Sequence, residues 1–207
     1  MNQSKKNILI TGNRKGIGRY LSEYYLEKGH NVIGCSRSDS DLNHNNYLHV
    51  LCDVKVESDV KKTVKEGKKR FGEINVLINN AGKASLNHSI FTPSKTIKDL
   101  FETNYLGSFL FSRECSKQMI KKKWGRIINF STIAVPLDLE GEMAYASSKS
   151  AIEKMSRIMS KELSSYNITI NTIGPTPVYT DLIKVVPKDK VEEIINKQSL
   201  KRFGLFE

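Results

Sequence analysis

The chain has 207 residues, which at roughly 150 per domain makes one domain the default. A hydrophobic share of 39% and a charged share of 27% are those of a globular protein and exclude collagen-like, mucin-like and coiled-coil classes. Lys and Arg number 33 against 22 Asp and Glu, leaving +11. The densest basic runs, Lys61 to Arg70 and Lys121 to Lys123, fall on apparent helices without aromatics to stack on bases, so a solvated helix face is favoured over a nucleic-acid surface.

Cys35, Cys52 and Cys115 form neither a C-x-x-C pair nor an even set, which argues against a disulfide framework or a metal site and fits a reducing cytoplasm. Nothing approaches the roughly 18 apolar residues of a membrane span, and Ile8 to Ile10 is far short of a secretory apolar region, so a soluble protein without a membrane partner is expected.

In chain order, Asn7 to Thr11 predicts a strand, Ile17 to Lys28 an amphipathic helix and Asn31 to Ser36 a second strand. Strands follow near Tyr47 to Cys52, Ile74 to Asn79, Gly125 to Ser131 and Thr169 to Gly174, with helices near Glu57 to Phe71, Ser94 to Lys122 and Met143 to Ser164. Near-continuous apolar strands such as Val76-Leu77-Ile78 imply burial on both faces, hence an α/β, doubly wound parallel sheet in a single domain spanning residues 1–207. Beyond Gly174 come Pro175, Pro177 and Pro187 and a polar helix near Lys188 to Lys197, so residues 175–200 read as a mobile substrate flap.

Ligands of such sheets sit beyond the carboxyl ends of the strands. The first of these ends carries Thr11-Gly12-Asn13-Arg14-Lys15-Gly16-Ile17-Gly18, a glycine-rich turn that lets a pyrophosphate approach a helix N-terminus, unless the loop merely needs positive φ. The second ends in Ser36-Arg37 where an NAD-selective fold offers an acid. Arg37, with Arg14 or Lys15, suits the 2′-phosphate of NADP(H), the alternative being a surface ion pair of Arg37 with Asp39 or Asp41. Tyr145 and Lys149 are spaced i and i+4 on one helical face, fourteen residues after Ser131. A nearby ammonium and a positive nicotinamide ring could bring the phenol towards neutrality, with Ser131 orienting the substrate oxygen, whereas a half-buried Tyr beside a surface Lys is the plainer reading of that pair alone.

With Thr11-Gly12-x-x-x-Gly16-x-Gly18, Asn79-Asn80-Ala81-Gly82, Asn104, Ser131 and Tyr145-x-x-x-Lys149 in this order, the chain resembles a short-chain dehydrogenase/reductase of the 3-oxoacyl-carrier-protein-reductase-like branch. The resemblance implies a Rossmann fold and NADP(H). It makes Tyr145 the general acid, Ser131 its partner on the carbonyl oxygen, Lys149 the ribose-binding residue that lowers the Tyr145 pKa, and Asn104 the holder of a water linking Lys149 to solvent. It places Asn80, Ala81 and Gly82 along the adenosine ribose, Asp53 and Val54 near the adenine, Gly174 and Pro175 at the sixth strand end, and Thr180 near the carboxamide. Lys15, before the second glycine, agrees with NADP(H).

The sequence departs from the family at Ile173-Gly174-Pro175, where the usual Pro-Gly pair is displaced, and after Lys201-Arg202-Phe203-Gly204, where a last helix and strand are expected to be missing. The sixth strand would then be an exposed edge, and a homo-oligomer, a dimer more securely than a tetramer, would pair through the Ser94 to Lys122 and Met143 to Ser164 helices. The implied activity is NADPH-dependent reduction of a ketone or 3-oxoacyl thioester, with Ser85, Leu86, His88, Leu137, Leu139, Met143 and the Pro187 segment near the substrate. A catalytically weak nucleotide-binding sensor derived from the same fold is the alternative.

Overall fold

Six β-branched, apolar runs become strands in the computed structural model, which describes residues 5–206: β1 (Asn7–Thr11), β2 (Asn31–Ser36), β3 (Tyr47–Leu51), β4 (Val76–Asn79), β5 (Gly125–Phe130) and β6 (Ile168–Ile173). All pair in parallel in the order β3-β2-β1-β4-β5-β6. The connecting helices are α1 (Gly16–Glu27), α2 (Glu57–Phe71), α3 (Ser94–Leu100), α4 (Gly107–Lys122), α5 (Ala134–Leu137), α6 (Met143–Leu163) and α7 (Lys188–Asn196). No helix among the described residues is long and apolar enough to cross a membrane.

Side chains alternate across each strand, so a run apolar at every position buries both faces. Leu9, Ile33, Leu77, Ile127 and Ile168 pack on one face with Val60 and Val64 of α2 and Phe111, Cys115 and Met119 of α4. Ile8, Ile10, Val32 and Ile78 pack on the other, with Leu26 of α1. Phe111 is fully buried, and a side chain of that kind contributes about 1.5–3 kcal/mol on leaving water.

Two details differ from the expected elements. The helix expected over Ser94 to Lys122 is interrupted by a π turn at Phe101–Leu106. The short α5 follows β5. The stretch after β6 folds back on itself: Val178 bridges Gly204, and the Tyr179 and Phe203 rings stack at 3.9 Å. β6 forms the sheet edge, as anticipated, with Thr169, Asn171 and Ile173 exposed.

From β1 the chain winds to β2 and β3 on one side and to β4, β5 and β6 on the other, so a crevice opens at the carboxyl ends of β1 and β4. Its floor is braced by Asn13, fully buried, whose Nδ2 donates to Ser22 Oγ (3.2 Å) and Tyr47 Oη (2.7 Å). Asn13 lies flat on Gly34 of β2, where an added Cβ would come within 2.0 Å of Asn13 Nδ2. Gly34→Ala is therefore expected to displace Asn13 and lower stability by about 1–3 kcal/mol, read as a fall in the urea midpoint.

Candidate active site

The β1–α1 turn and the end of β4 meet backbone to backbone. Gly12 has φ +67, and a Cβ on it would lie 2.8 Å from the Ala81 Cα. Thr11 locks the contact: its Oγ1 accepts the Asn80 and Ala81 N–H groups at 3.1 and 3.0 Å, while Asn80 Nδ2 donates to the Thr11 and Gly12 carbonyls at 2.9 and 3.0 Å. A Cβ on Gly18 would strike Asn80 Nδ2 at 2.5 Å. Thr11 and Gly18 thus shape the crevice from behind, whereas Gly12, Gly16 and Ile17 line it at the α1 N-terminus, whose free N–H groups suit a pyrophosphate.

Arg14, Lys15, Ser36, Arg37 and Ser38 line one end of the crevice, and Asp53, Val54, Asn80, Ala81 and Gly82 continue it. Asp41 does not pair with Arg37; it binds Arg19. Lys15 is held by Asp181 from the segment after β6. Lys15, with Lys184 beside it, keeps the Asp181 carboxyl down at about 2. Pro175 and Thr180 line the crevice from that same segment. Gly174 does not: it lies against the backbone of Thr132. The glycine cradle, with its free N–H groups at the α1 N-terminus, fits the pyrophosphate of a dinucleotide.

On α6, Lys149 is 4% exposed and its Nζ donates to the Phe130 carbonyl at 2.7 Å, at the end of β5. Burial lowers its pKa to about 8. Tyr145 is 6% exposed, and burial pushes its phenol up to about 12, with the Glu142 carboxylate adding to the rise and a hydrogen bond from Thr132 opposing it. The Tyr145 pKa is therefore raised rather than lowered as expected: burial dominates, and the Lys149 ammonium is committed to the Phe130 carbonyl.

Side-chain direction bears on Ser131 and Asn104. Ser131 shares the strand face of Asn129, two residues earlier, and that face meets α6: Asn129 Nδ2 donates to Ser156 Oγ at 2.7 Å, and Ser131 Oγ donates to Glu153 one turn before Ser156. Ser131 still borders the crevice, and the next residue, Thr132, brings a hydroxyl beside Tyr145. Asn104 sits fully buried in the π turn, and its amide is spent on the Lys83 carbonyl (3.0 Å), the Lys83 N–H (2.9 Å) and Ser148 Oγ (2.9 Å). Its side chain positions the backbone of Lys83 beside Gly82. A Cβ on Gly82 would lie 3.3 Å from Asn104 Oδ1 and 3.4 Å from Lys149 Nζ, so glycine lets these groups close up.

The crevice runs on into a cleft lined by Thr132, Ala134, Leu139, Glu142, Tyr145, Lys149, Leu182 and Ile194, the two forming one cavity of about 560 Å³, within the size range of small-molecule sites. A second chamber of about 260 Å³ adjoins it, lined by Leu86, Leu137 and Leu139 among others. Leu139 thus borders the cleft as expected and Leu86 and Leu137 the chamber, while Ser85, His88 and Met143 line neither. Thr132 and Glu142 escaped the sequence reading. Strand parity beyond β5 would have found the first; the second stands one helical turn before Tyr145.

Because the folded state disfavours the Lys149 ammonium, the unfolded chain binds more protons between pH 8 and 10.5, and the Lys149 contribution to stability rises across that window. Urea unfolding of the wild type and Lys149→Met at several pH values is expected to diverge, the wild type gaining up to about 1.4 kcal/mol per pH unit relative to the variant.

Comparison with known proteins agrees with this geometry. The sequence model of a family described as short chain dehydrogenase matches residues 6–191. An NAD-dependent glycerol dehydrogenase of Listeria innocua is 31% identical over 95% of this chain and 80% of its own. The 3-oxoacyl-[acyl-carrier-protein] reductases of Bos taurus and Escherichia coli are 32% and 28% identical, over 96% and 99% of this chain and 85% and 86% of theirs. A crystal structure of a short-chain dehydrogenase from Streptomyces avermitilis superposes with a TM-score of 0.82 at 27% identity, over 88% of this chain and 69% of that one. A parallel sheet with a glycine cradle at its switch point, and a buried tyrosine and lysine one helical turn apart, thus sit in a chain that belongs to the short-chain dehydrogenase family of oxidoreductases.

Proposed function

We propose that the protein reduces the carbonyl of a ketone or 3-oxoacyl thioester to an alcohol with NADPH. The observation that carries this reading is the convergence of the buried Tyr145 phenol, Thr132 and Lys149 on the wall of one cleft. NADPH, bound in the crevice, supplies the hydride. Tyr145 donates its proton to the carbonyl oxygen, a task suited to a phenol held protonated at neutral pH. Thr132 donates a hydrogen bond to the same oxygen and fixes its direction. Lys149, anchored on Phe130, brings positive charge beneath the phenolate that remains, which then regains a proton from solvent.

The preference for NADPH rests on Arg37, free of the acids expected to pair with it, together with Arg14 and Lys15 on the same rim. The Lys15 contact with Asp181 is exposed on both sides, so a phosphate displaces it at little cost. The segment at 175–200 serves as the substrate flap, because its Pro175, Thr180, Leu182 and Ile194 wall the cleft. A homo-oligomer in a cytoplasmic setting, paired through α4 and α6, completes the reading.

Turnover is followed by cofactor absorbance with short ketones and 3-oxoacyl thioesters, and no oxidation of NADPH by any of them would overturn the assignment. Tyr145→Phe is expected to lower kcat by about 10²–10⁴-fold while NADPH binding is retained. Thr132→Val is expected to cost about 10²-fold and Ser131→Ala less than about tenfold, a contrast that reports which hydroxyl faces the substrate. Arg37→Asp is expected to shift the NADPH to NADH ratio of kcat/KM by about 10- to 100-fold towards NADH.

A further inference from the structure

Glu142 opens α6 three residues before Tyr145 and borders both the cleft and the adjoining chamber. It is 8% exposed. Its backbone is committed, the N–H to the Leu139 carbonyl at 3.2 Å and the carbonyl to the Ala146 N–H at 2.7 Å, yet no hydrogen-bond donor or cation among the described residues engages its carboxyl group. The two lysines of the chamber, Lys190 and Lys197, are both taken by Glu193. Leu139, Val186 and Ile194 border both spaces beside Glu142, and the chamber beyond also carries Asp138 and Glu140.

A largely buried carboxyl group that borders the cleft with no partner of its own is left to accept from a donor that arrives with the ligand. The spacing from Tyr145 puts that donor within one helical turn of the reacting carbonyl. Low local polarity strengthens a hydrogen bond made there and penalises a ligand that leaves the carboxylate bare. We propose that Glu142 determines substrate specificity by accepting a hydrogen bond from an O–H or N–H group of the substrate, so that the enzyme takes hydroxylated or amino ketones in preference to their alkyl isosteres. The assignment rests on the carbonyl-reduction reading above and adds a chemical class to it.

The test compares kcat/KM, with NADPH, within matched sets: hydroxyacetone, aminoacetone and butanone, and the longer homologues that move the donor one and two carbons outward. Wild-type protein is expected to favour the donor-bearing member of at least one set by about 10- to 100-fold, the range of a hydrogen bond to a charged group. In Glu142→Leu the ratio is expected to fall to within about threefold, whatever the absolute rates. Glu142→Gln separates the two donors: an amide oxygen still accepts from a hydroxyl, so that preference survives, whereas a preference for the ammonium is lost. Equal kcat/KM within every set in the wild type, or a preference that persists in Glu142→Leu, overturns the assignment while leaving carbonyl reduction standing. Failure of the wild type to reduce any ketone removes both. The wild-type comparison requires no variant, so a Glu142→Leu protein that does not fold cannot rescue the idea.

Discussion

The chemistry at the carboxyl edge of the sheet depends on one contact, the clamp by which Thr11 holds Asn80 and Ala81. Four hydrogen bonds between the end of β1 and the end of β4 join the two halves of the sheet at the point where they part. The contact exists only because Gly12 and Gly18 carry no Cβ. A side chain at either position would wedge the strands apart, and the glycine cradle, the cationic rim and the Gly82 backbone beside Lys149 would lose their common frame. The crevice is thus a packing result before it is a chemical one.

Behind the clamp lies a second layer in which polar groups replace apolar ones at the centre of the protein. Asn79 Nδ2 donates to Asn129 Oδ1 at 2.7 Å and to Ser112 Oγ at 3.0 Å, and Asn129 passes the chain on to Ser156. The π turn brings Asn104 into the same region, where it fixes Lys83 and Ser148. A single-turn π bulge places an extra residue in a helix, and such turns recur where a side chain must be aimed at a site. These networks hold the ends of β4, β5 and α6 in one geometry, so the positions of Gly82, Lys149 and Tyr145 are fixed by hydrogen bonds that never touch a ligand.

Much of this was legible in the sequence. The six strands fall within two residues of their expected bounds, because each is a short apolar run between glycine or polar breaks, and period alone assigns it. The cradle at Gly12 to Gly18 and the Tyr145–Lys149 pair were readable because fixed spacing carries fixed direction on a turn or a helix. What escaped depends on burial or on parity past the end of an element. Ser131 and Thr132 are adjacent hydroxyls, and only the face occupied by Asn129 tells which one turns towards Glu153. The pKa of Tyr145 follows from how deeply it is buried, and no spacing rule reports that. The π turn at Phe101–Leu106 escaped because no glycine or proline within it breaks the run between α3 and α4.

The Thr11–Asn80 clamp joins residues 69 positions apart in the chain. No local element can build any part of it, so a refolding molecule must first close that long loop and register β1 against β4, a non-local pairing of the kind that slows folding. The nucleotide cradle therefore assembles late, after the sheet centre has formed. Cofactor capture during refolding then reports completion of the strand order rather than formation of the first helix.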